Sequence, residues 1–112
     1  MNISIKRKDQ GDHRFLVAVS GEIDVFTAPE LQKGLLPLTE IRGGTLILDL
    51  NETRYMDSTA LGVIVAALKS ASRHQCSFSV TGMTPRIQRL FEITGLMELL
   101  KRVQTSRGVA ND

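Results

Sequence analysis

Apolar and polar positions alternate twice near the start of the chain, around Ile3 and Ile5 in residues 2–7 and around Phe15, Val17 and Val19 in residues 14–20. With Gly11-Asp12 between them, this period of two predicts a β-hairpin. Residues 21–26 then read as a loop carrying Glu22 and Asp24. Thr27-Ala28-Pro29-Glu30 has the T-x-x-E spacing of a capping box with proline in the first turn, so a helix is predicted from about Thr27, with Leu31 and Leu35 turned inward. Pro37 disfavours helical geometry at Leu36 and is expected to end or bend that helix. TLILDL, residues 45–50, is short and apolar on both faces, which predicts a buried strand covered by helices on either side. A polar loop is expected over residues 51–57. Leu61, Ile64, Val65 and Leu68 follow at steps of three and four, predicting a helix whose first turn holds Asp57, Ser58 and Thr59.

Residues 76–81 predict another short strand. Thr84-Pro85 repeats the cap-then-proline signature, and Ile87, Leu90, Phe91 and Thr94 keep helical spacing until Gly95 supplies a C-terminal cap. Residues 96–103 read as a turn of helix and a short last strand. Residues 105–112 hold almost nothing to bury and are expected to form a loose tail. This order predicts one α/β domain over residues 1–104, a small mixed sheet that is mostly parallel, with one antiparallel edge hairpin and helices packed on it. Parallel strands would bring residues 21–26, 51–57 and 82–83 to one sheet edge, the edge where open α/β sheets bind ligands.

Composition narrows the function. In 112 residues, 42% are hydrophobic and 23% charged, the balance of a soluble globular domain. Neither a signal peptide nor a run able to cross a bilayer is visible, so no membrane association and a cytoplasmic location are expected. A net charge of +2, scattered basic residues and 4% aromatics give no groove or stacking platform for direct nucleic-acid binding. The single cysteine, Cys76, sits near Phe78 and Val80 and reads as a small buried side chain.

Ser58 beside Asp57 invites a hydrolase reading, but a nucleophile needs a base within reach. His74 lies 16 residues along the same helix, roughly 24 Å away. His13 is at the far end of a strand, roughly 27 Å away. No G-x-S-x-G elbow, Walker loop, dinucleotide fingerprint or metal-ligand spacing appears, so neither an enzyme nor a cofactor is expected. Ser58 could instead be acted upon. A phosphoryl group there adds about −1.5 to −2 charges, and the positive end of the helix favours it by roughly 0.3–1 kcal/mol. A partner packed over the same spot would have to desolvate it; losing about 3–4 kcal/mol is several-hundred-fold in affinity. Each residue also has a plainer reading: Asp57 as a helix cap, Ser58 as an unmodified first-turn serine, Asp24 as a loop carboxylate.

GEIDVFTAPEL (residues 21–31), LDLNETRYMDSTALGVIVAALK (residues 48–69) and TPRIQRLFEITGL (residues 84–96) together resemble the STAS-domain anti-sigma factor antagonists of bacteria, the anti-anti-sigma proteins of stress response and sporulation. The resemblance implies a partner switch. The unmodified antagonist binds an anti-sigma factor that is also a serine kinase and so frees a sigma factor; phosphorylation of a serine reverses this, and a PP2C-type phosphatase restores it. That serine, directly after the Asp of the MDS motif, maps onto Ser58, with partner contacts at Asp24, Asp57, Ser58, Thr59, Ala60 and Gly62 and a monomer when free. Where the family often has glycine two residues after the serine, this chain has Ala60, whose methyl is expected to add bulk at the docking surface. The family's last helix is expected to be short or missing. The alternative is a constitutive STAS scaffold, an adapter subunit of a transporter or signalling complex.

Overall fold

The computed structural model describes residues 2–102. A hairpin opens the chain, β1 (Ile3–Asp9) antiparallel to β2 (Arg14–Ile23). Its turn is held by the Asp9 carboxylate, which accepts from the Gly11 N–H at 2.9 Å. Then follow α1 (Ala28–Thr39), β3 (Thr45–Met56), α2 (Ser58–Arg73), β4 (Ser77–Thr81) and α3 (Pro85–Ile93). The sheet runs β1-β2-β3-β4, with β2, β3 and β4 parallel, as the alternation of strands and helices predicts.

Because β2, β3 and β4 are successive parallel neighbours, right-handed crossovers place α1 and α2 on the same side of the sheet. The two helices pack on each other, and the Thr39 and Ser70 hydroxyls join them by a buried hydrogen bond of 2.7 Å. The sheet's period of two shows the consequence. Val17, Val19, Leu46, Leu48, Leu50 and Phe78 are buried, whereas Ala18, Ile47, Asp49 and Ser79 between them are only half-buried. Helices therefore do not seal both faces of residues 45–50 equally. Ile87 and Phe91 of α3, with Leu96 and Leu100, complete the same apolar cluster.

The expected loop at residues 51–57 is strand as far as Met56, and residues 21–23 belong to β2. Two register shifts explain why the pattern looked irregular. Between Ala18 and Ser20, and again between Gly21 and Glu22, β3 carries one residue more than β2, so Asn51-Glu52 and Arg54-Tyr55 are exposed as pairs while Thr53 and Met56 turn inward. Thr53 is polar yet buried, and its hydroxyl donates to the Val19 carbonyl at 2.7 Å. Gly21 sits at φ +104°, where a Cβ would collide with the Asn2 carbonyl oxygen, so glycine lets the start of β1 close against β2 beside the bulges of β3.

Three further expectations are corrected. The helix neither ends at Leu36 nor stops at Pro37 but runs to Thr39, anchored by buried Leu35, Leu38 and Thr39. Thr27 is its N-cap residue but makes no capping bond, its hydroxyl being engaged in the preceding loop. Residues 96–102 are helical, leaving no strand among them, so the last helix is not missing. The expected tail at 105–112 lies outside the described residues. At α3 the prediction holds: the Thr84 hydroxyl accepts from the Ile87 N–H, and Gly95 follows the helix at φ +80°.

Candidate functional site

Parallel strands β2, β3 and β4 send their C-terminal ends to one edge, where Ile23 and Met56 are register partners. Only Asp57 separates β3 from α2. It is extended (φ −106°, ψ −174°), its N–H donates to the Ile23 carbonyl at 3.1 Å, and its carboxylate accepts from the Ala60 N–H at 3.0 Å. The capping reading of Asp57 is therefore correct. A strand-to-strand bond and a helix cap converge on this one residue, fixing the start of α2 against the end of β2.

Ser58 and Thr59 form the first turn and are both exposed. Their backbone N–H groups have no intrahelical acceptors, and the helix dipole adds partial positive charge there. Gly62 and Ala66 continue this exposed stripe, while Leu61, Val63, Ile64, Ala67 and Leu68 face the core. Gly62 has no positive φ, and nothing lies within 4 Å of where its Cβ would be. The fold itself does not demand glycine there. Ala60 behaves otherwise: it is 0% exposed, its methyl points into the core, and it adds no bulk to any docking surface.

Asp24, one residue beyond Ile23, is only 6% exposed. One of its carboxylate oxygens accepts from the Phe26 N–H at 2.9 Å and the Thr27 N–H at 3.0 Å, with the Thr27 hydroxyl at 3.2 Å. The same hydroxyl accepts from the Asp24 N–H and donates to the Glu22 carbonyl. Desolvation pushes the Asp24 carboxyl up, but the N–H groups of Thr27 and Phe26 and the Thr27 hydroxyl outweigh it, and the group titrates below its ordinary value of 3.8. Asp24 is thus an organiser of its loop. Beside it, Glu22, Asp24, Arg54, Tyr55 and Arg86 line an open hollow of about 480 Å³.

The structure thus gathers Asp24, Asp57, Ser58, Thr59 and Gly62 at one end of the sheet and turns Ala60 away. It also exposes Val25 and Phe26, which the sequence reading placed in the loop over residues 21–26 without assigning them a role. Their signal was an apolar pair set between two capping-type residues, Asp24 and Thr27. Neither histidine attends Ser58. His74 caps the other end of α2, with its Nδ1 2.7 Å from the Ser70 carbonyl oxygen, and His13 sits in the hairpin turn before β2. Among the described residues no group of three or more His, Cys, Asp or Glu could hold a metal ion, and no helix is long and apolar enough to cross a membrane. Such a site can present a hydroxyl and a surface; it has no machinery to activate the hydroxyl as a nucleophile.

Comparison with known proteins agrees on one family. The STAS domain model matches residues 4–110. An anti-sigma-B factor antagonist of Listeria monocytogenes is 43% identical over 101 residues, 90% of this chain and 89% of its own length. A protein of the same name from Staphylococcus aureus is 40% identical over 100 residues, 89% of this chain and 92% of its own. Among solved structures, an anti-sigma factor antagonist from Mycobacterium paratuberculosis superposes with a TM-score of 0.77 at 26% identity, covering 94% of this chain and 93% of that one.

Proposed function

The chain belongs to the STAS domain family, and from that premise we propose that it is an anti-sigma factor antagonist whose binding is gated by phosphorylation of Ser58. In this reading it is a regulator without catalytic activity of its own, monomeric when free and acting in the cytoplasm. The unmodified chain docks on an anti-sigma factor that doubles as a serine kinase, which releases a sigma factor; a PP2C-type phosphatase resets it. Ser58, Thr59 and Gly62 present the contact face, while Asp57 and Asp24 hold it in shape. The observation that carries this reading is the exposed Ser58 hydroxyl on the first turn of a capped, rigidly seated helix. A kinase can reach it, and the helix end tolerates the charge it would gain. A partner face pressed against the same turn would bury that phosphate, which abolishes binding without unfolding the antagonist.

Intact mass after incubation with the cognate anti-sigma kinase and ATP tests this. One phosphoryl group is expected on wild type and none on Ser58→Ala; no gain on wild type, or an equal gain on the variant, rejects the assignment. Ser58→Asp is expected to fold normally and to bind the anti-sigma factor at least roughly 100-fold more weakly, a change of about 2.7 kcal/mol.

A further inference from the structure

Four large apolar side chains are exposed among the described residues: Val25 at 57%, Phe26 at 83%, Tyr55 and Ile93. Exposure alone says little, since single apolar residues are common on surfaces. Phe26 differs in how it is held. The Asp24 carboxylate accepts from the Phe26 N–H, and the adjoining Thr27 is tied through its N–H and hydroxyl to Asp24 and Glu22. A buried carboxylate is thus spent on ordering a loop whose tip presents a phenyl ring to water. Such an arrangement lowers the entropy lost on docking, and rigid aromatic side chains are the usual anchors of protein interfaces.

We propose that Phe26, supported by Val25, is the apolar anchor by which the chain grips its anti-sigma partner, and that Asp24 is the clamp holding that anchor out. The proposal rests on the antagonist reading above and specifies what Asp24 holds in shape: it positions the Phe26 contact. The occupant is the partner, not a second copy, because of continuity. Ile23 and Met56 pair and the Ile23 carbonyl accepts from the Asp57 N–H, so the Phe26 loop and the Ser58 turn leave the sheet side by side at one edge. A phosphate on Ser58 can repel only a molecule that also covers this neighbourhood. The partner must therefore carry an apolar cup for a phenyl ring beside the area that lies over the neutral Ser58 hydroxyl.

Titration calorimetry against the cognate anti-sigma factor, with sedimentation of each variant alone, decides the matter. Phe26→Ala is expected to keep the wild-type circular dichroism and unfolding midpoint and to remain monomeric, yet to bind at least roughly 10-fold more weakly, about 1.4 kcal/mol. Ile93→Ala, 73% exposed but on α3, is expected to bind as wild type does. Wild-type affinity for Phe26→Ala, an equal loss for Ile93→Ala, or a wild-type dimer that Phe26→Ala dissociates would each overturn the anchor. If wild type itself does not bind the anti-sigma factor, the antagonist reading fails first, and the two failures are told apart.

Discussion

At Asp24 a single carboxylate decides the shape of a loop, and its acidity records that work. The native group is held below 3.8, so its contribution to stability is fully present above the unfolded value and is lost as pH falls through the lower native one. An asparagine in its place would keep an acceptor oxygen but not the charge. The stability difference between wild type and Asp24→Asn, taken from urea midpoints, should therefore be constant from neutral pH down to about pH 4–5 and shrink on further acidification. A difference that does not change across that range would mean the carboxylate is not held by these donors. Asp57 differs in kind, since it caps a helix that begins without slack. The same residue type thus performs two tasks at two points of one edge, and neither task requires it to touch a partner.

At the scale of elements, α2 shows what a sequence discloses and what it conceals. Its apolar stripe and the Asp57 cap were plain from spacing, and so was the placement of Ser58 on the first turn. The polar end of β3 was not, because its two bulges replace strict alternation with paired exposed residues, which look like a loop until the bulged pairing with β2 is seen. Pro37 misled in the opposite direction on one count: local geometry allows an end or a bend, and burial of Leu35, Leu38 and Thr39 carries the helix past it, so it does not end there. Ala60 was legible as core, since it stands four residues before Ile64 and eight before Leu68 on the same stripe; comparison with the motif alone drew attention to its methyl instead of its phase. Gly62 offers a test here. In a helix interior glycine costs up to about 1 kcal/mol relative to alanine, and the site is open. Gly62→Ala should raise stability in urea by up to that amount while weakening anti-sigma binding; improved stability with intact binding would remove Gly62 from the contact face.

For the whole molecule, one continuous cluster from Val17 to Leu100 ties the sheet, α1, α2 and α3 together, while Ser58 lies outside it on an exposed first turn, so a phosphate there displaces no core side chain. Phosphorylated and unmodified chains are accordingly expected to unfold within about 1 kcal/mol of each other, with amide chemical-shift changes confined to the ends of β2 and β3 and the start of α2. Shifts spread across β1 or α3 would show that the modification acts through the core. The strand that looked like a loop matters in the same sense, because pairing up to Met56 carries the stiffness of the sheet to the very edge where Ser58 stands.

The one-residue join at Asp57 has a further consequence. A connector with no spare length ties the first turn of α2 directly to the end of β3, so under the proposed switch a phosphate on Ser58 would stand on the outside of the fold, where only a visitor could read it.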